Sequence, residues 1–164
     1  MPVRRARLSC RFLLVLLLPA LAHARAWNGV EPGVTGKDEV LKRFGPPSKT
    51  LSLEGHQVLA YNGTAAIKGT AEAQFRIDPA SGLVERIDVF PGPVVDRETV
   101  ESSYGPPCPA AGPPATSNCF QKKLTEDFRT YYLYPRLGMA VFFDEEGDKV
   151  KSFVFQSVKS THTP

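Results

Sequence analysis

At 164 residues, 42% hydrophobic and 23% charged, the chain is long enough for one domain with a real core. Its formal net charge of +3 is held by the first 26 residues, which contain Arg4, Arg5, Arg7, Arg11 and Arg25 and no acid. The other 138 residues hold 15 Lys and Arg against 17 Asp and Glu, a net −2, which excludes the strongly basic surface expected of a nucleic-acid or anionic-membrane binder.

Residues 1–26 read as a signal peptide. The arginines form a basic start, and Phe12 to Leu18 is an apolar run too short to span a bilayer. Pro19 breaks the run, and two small-residue cleavage sites follow, Ala22-His23-Ala24 and Ala24-Arg25-Ala26. Cleavage near Ala24 or Ala26 would leave a secreted or periplasmic chain, residues 27–164, with no transmembrane segment. Cys10 precedes the apolar run and is not placed for lipidation.

A short helix is predicted over 35–44. Thr35 can cap it, with Asp38 three residues on, and Val40 and Phe44 share a face. Gly45 suits a positive-φ helix end, and Pro46 forbids continuation. A strand is expected near His56 to Tyr61. Ala71, Ala73, Phe75 and Ile77 then alternate with polar residues, and after the turn Pro79-Ala80-Ser81-Gly82 a second strand runs from Leu83 to Phe90. Asn62-Gly63-Thr64 fits both a hairpin turn and a glycosylation acceptor.

The second half begins with a helix over 96–104, capped by Asp96 and stopped by Gly105-Pro106. Cys108 and Cys119 flank a Pro- and Ala-rich loop. In an oxidising compartment they most simply form a disulfide, worth on the order of 3 kcal/mol in the chain-entropy account. Strands are expected near Phe128 to Tyr134, at Met139 to Phe143 and at Val150 to Phe155, with the last two joined by the acidic turn 144–148.

The two halves echo each other. Phe44-Gly45-Pro46-Pro47 returns as Tyr104-Gly105-Pro106-Pro107, and Asp78 and Val84 return as Asp144 and Val150. The predicted fold is α+β: two tandem repeats, about 30–90 and 92–158, each a short helix followed by about three antiparallel strands. The helices pack on one side of the sheet, within a single mature domain.

Gly33-Val34-Thr35, Val40 and Phe44-Gly45-Pro46-Pro47 resemble the start, helix and stop of the small envelope protein family BamE, also called SmpA or OmlA. The tandem form is similar to the β-lactamase inhibitor protein fold. The resemblance implies a protein-binding or envelope-associated module whose partner is another envelope or secreted protein. The chain departs from it in lacking a lipidated cysteine and in having Pro91-Gly92-Pro93 where a second Gly-x-Thr start would stand.

No metalloprotease, nucleophile-elbow or phosphate-loop motif is present, and the sequence points to no catalytic residue, metal or cofactor. His56 and His162 read as structural, and 144–148 as a solvated turn with calcium as the competing reading. The candidate binding residues are Tyr131, Leu133 and Phe142. Tyr131 to Tyr134 and Phe142-Phe143 put bulky groups on both sides of their strands, so one set faces away from the core. The expected function is a non-enzymatic binding or envelope-associated module. The alternatives are an inhibitor of a secreted enzyme and a small hydrolase with an acidic site.

Overall fold

The computed structural model describes residues 25–110 and 117–157. The predicted leader up to Ala24, with its Cys10, and His162 lie outside the described residues. In chain order the elements are α1 (Lys37–Phe44), β1 (Lys49–Leu53), β2 (His56–Asn62), β3 (Thr70–Ile77) and β4 (Val84–Pro91), then α2 (Arg97–Tyr104), β5 (Gln121–Leu124), β6 (Thr130–Tyr134), β7 (Met139–Phe143) and β8 (Val150–Gln156). Short 3-10 turns at Gly63–Ala65 and Pro135–Leu137 follow β2 and β6.

All eight strands join in one antiparallel sheet, in the order β1-β2-β3-β4-β8-β7-β6-β5. This overturns the expected architecture of two tandem units, each a helix with about three strands. Among the described residues there is a single continuous sheet accompanied by two helices of eight residues each. The physical reason lies at the margins and at the centre. β1 and β5 are exposed along their whole length, so neither carries the buried period that marks a strand. At the centre, β4 pairs directly with β8, Ile87 opposite Phe155 and Val89 opposite Phe153, so the apolar faces of both halves fuse.

The core lies on one side of that sheet. Leu59, Phe75, Ile87, Phe155, Met139 and Tyr134 stand opposite one another across six strands, and all are buried. Val40 of α1 and Val100 of α2 are fully buried in the same cluster, so both helices close this side. Rings lock the packing: Phe120 stacks on Tyr132 with centroids 3.7 Å apart, and Phe44 stacks on Phe75 at 5.5 Å.

The helix ends follow local chemistry. Asp96 caps α2 as predicted, accepting from the Thr99 amide at 2.8 Å. Thr35 does not cap α1. Gly36 takes that position, and the Thr35 hydroxyl instead accepts from the Glu31 amide at 2.9 Å. Gly45 and Gly105 both hold positive φ, +77° and +117°, but with extended ψ of −164° and 162°, beyond the ordinary left-handed well. Each receives a tyrosine: the Tyr61 hydroxyl donates to the Gly45 carbonyl at 2.9 Å and Tyr134 to that of Gly105 at 3.2 Å. The Cys108–Cys119 disulfide is formed, with Cα atoms 4.9 Å apart.

Candidate functional site

Successive side chains on a strand point to opposite faces, so the sheet presents a second face away from the helices. One row across it runs Lys49, Ala60, Gln74, Asp88, Val154, Ala140, Leu133, Gln121. The adjacent row places Phe142 between Ser152 and Tyr131, with Lys123 beyond. Ala60 and Ala140 are the small residues of the first row, and the rings of Tyr131 and Phe142 stand in the row beside Ala140 and Leu133.

The structure brings Tyr131, Leu133 and Phe142 together on this face, on the adjacent strands β6 and β7. All three are half-buried, and neither helix covers them. Tyr131 and Phe142 stack with centroids 4.9 Å apart and planes 16° from parallel. Their neighbours Tyr132 and Tyr134 point the other way into the core, as alternation requires. Burial raises the hydroxyl pKa of Tyr132 and, more strongly, of Tyr134 above the usual value.

Beside the aromatic pair lies a depression of about 290 Å³, bordered by Arg86, Asp88, Phe90, Phe142, Ser152 and Val154. Thr125 and Arg129, from the turn between β5 and β6, close one end. Arg86 grips Asp88 with two bonds of 2.8 and 2.6 Å, so the pair is held as a neutral unit. Phe90, Arg86 and Asp88 were not singled out by the sequence. The alternation of β4 shows which of its residues share a face, but not that β8 sets them beside the second half.

The polar end of the same face is tied by charge. Arg76 Nε lies 2.7 Å and His56 Nδ1 2.9 Å from Glu85 Oε1, both off the hydrogen-bonding direction, and Arg76 also donates to Glu54 at 3.3 Å. This cluster joins the β1–β2 turn to β3 and β4. Glu72 accepts from Gln74 and from Asn62, and these bonds, Gln74 foremost, hold its carboxyl below the usual range. The Asn62 side chain is thus engaged, and a 3-10 turn follows it in place of a tight hairpin.

The acidic segment 144–148 is organised as a turn. Asp144 accepts from the amides of Asp148 and Lys149 at 3.0 and 3.2 Å, and its backbone bonds lower its pKa. Among the described residues no group of three or more His, Cys, Asp or Glu side chains is placed to hold a metal ion. Nor is any helix among them long and apolar enough to cross a membrane. The face thus carries a stacked ring pair, Leu133 and Val154 beside it, and the closed Arg86–Asp88 ion pair. No protein-family profile, curated protein or solved structure matches the chain.

Proposed function

We propose that this chain is a non-enzymatic binding module of the secreted or periplasmic space, which docks another envelope or secreted protein on the open sheet face. The observation that carries this reading is the grouping of Tyr131, Leu133 and Phe142 on one uncovered surface. Tyrosine and phenylalanine supply large rigid contact area at small entropic cost, and such residues anchor protein interfaces. The resemblance of the Gly-Pro-Pro helix stops to BamE-like envelope proteins points the same way. Export is part of the proposal. Arg25 donates its amide to the Leu137 carbonyl at 2.8 Å and lies over the Tyr104 ring. Cleavage after Ala24 would keep the ring contact and turn that amide into an ammonium still able to donate, whereas cleavage after Ala26 would remove both.

The test is capture of partners from the source organism's own envelope or culture fluid, with the protein's N-terminus sequenced first. Tyr131→Ser with Phe142→Ser should reduce capture of the partner by about tenfold or more, as expected for interface anchors. The far-ultraviolet dichroism of the sheet and a cooperative unfolding transition should persist. Gln74→Ser, at the polar end of the same face, serves as the control. Undiminished capture by the double variant would move the binding surface elsewhere.

A further inference from the structure

The sheet ends in two edges, β1 and β5, and their chemistry differs. Every residue of both strands is exposed. An edge strand offers a row of backbone groups able to pair with another chain, and edge lysines are one way proteins block this. β5 reads Gln121-Lys122-Lys123-Leu124. Antiparallel self-pairing centred on either lysine sets that lysine directly against its own copy, an arrangement that like-charge repulsion disfavours. β1 has a lysine only at its first position, Lys49, and none along the rest of the strand. Between Lys49 and Glu54 it carries only Thr50, Leu51, Ser52 and Leu53, with Leu51 49% and Leu53 56% exposed.

We infer that two copies of this chain associate by antiparallel pairing of their β1 edges about a two-fold axis at Leu51. The strand is self-complementary in that register. Leu51 meets Leu51, each Lys49 meets the other copy's Leu53, and Thr50 meets Ser52, so no like charges oppose one another. The leucines fall on one face and the hydroxyls on the other. Glu54, at the turn, is already paired with Arg76 and does not face a second acid. A two-fold axis normal to the sheet keeps both open faces on the same side, giving one continuous surface across two copies. A strand of five residues buries little area, so the dimer is weak and reversible.

Sedimentation velocity over a concentration series, up to several hundred micromolar, tests this on the protein as recovered after export. A monomer–dimer equilibrium is expected. Leu51→Lys alone, and Leu51→Glu alone, should each weaken it by about tenfold or more, because each places like charges on the axis. Mixing the two variants should restore dimerisation, since the introduced ammonium then meets the introduced carboxylate. Leu124→Lys on β5 should leave the equilibrium unchanged. A protein monomeric throughout, a dimer indifferent to Leu51, no rescue on mixing, or growth past the dimer through β5 would each overturn the inference.

Discussion

The two helix-stop glycines look alike in sequence and differ in what surrounds them. Both hold a backbone that an L side chain resists. A Cβ on Gly45 would meet nothing within 4 Å, whereas one on Gly105 would lie 2.2 Å from the Asn118 carbonyl oxygen. Gly45→Ala should therefore cost about 1–2 kcal/mol, from backbone strain alone. Gly105→Ala should cost roughly 2 kcal/mol more, because the chain behind it must move. Urea titration of both variants measures the gap, and equal losses would refute the clash. The tyrosines that bond these glycines set a second expectation. Burial raises the pKa of Tyr61, Tyr132 and Tyr134 above the 10.0 of an open chain. Below that value the hydroxyl is neutral in both states, and its contribution to stability is fully present. Above it the unfolded chain ionises first, so stability falls as pH rises. The melting temperature should drop steeply above about pH 10, and less steeply in Tyr134→Phe. The sequence shows these tyrosines as apolar bulk. The bonds of Tyr61 and Tyr134 to glycines 16 and 29 residues away, and of Tyr132 to Glu101, are not readable from periodicity.

Among the elements, legibility followed burial. β3 and β8 bury alternate residues or nearly so, and their period shows in the sequence. β1 and β5 bury none: Leu51 and Leu53 alternate with Thr50 and Ser52 over too few residues to mark a strand, and Gln121–Leu124 has no alternation at all. The candidate site was legible to the same degree. Consecutive aromatics at Tyr131 to Tyr134 announce two occupied faces, while the partnership of Phe142 with β4 residues depends on a strand order no local pattern fixes. The disulfide was readable because two cysteines flank one loop. It anchors the approach to β5: the Cys108 amide donates to the Phe120 carbonyl, and Phe120 in turn reaches the Pro106 carbonyl. Replacing both cysteines by serine should lower stability by up to about 3 kcal/mol, since the bridge closes a sequence separation of 11 residues. The sheet should remain, because its ladder does not depend on that loop. Intact mass before and after reduction should differ by one pair of hydrogens. Free alkylation of native protein would count against the bridge.

At the scale of the molecule, the seam between β4 and β8 decides whether there are two folding units or one. A sheet half with a single short helix has little apolar area of its own, and small units of that kind are marginal in water. Here the seam places Ile87, Val89 and Phe155, all buried, in one cluster that also contains both helix valines. Unfolding either half alone would expose that cluster to water, so the two halves should melt together. Two probes can separate the cases. Trp27 packs on Phe44 and Phe75 and reports the first half, whereas Tyr104, Tyr131, Tyr132 and Tyr134 dominate the tyrosine dichroism and report the second. Their denaturation curves should coincide. Phe155→Ala, at a site only 4% exposed, should shift both curves equally and cost about 3–5 kcal/mol. Two separated transitions, or a shift confined to the tyrosine signal, would mean that the seam joins two independent units and that the single sheet is a contact between domains.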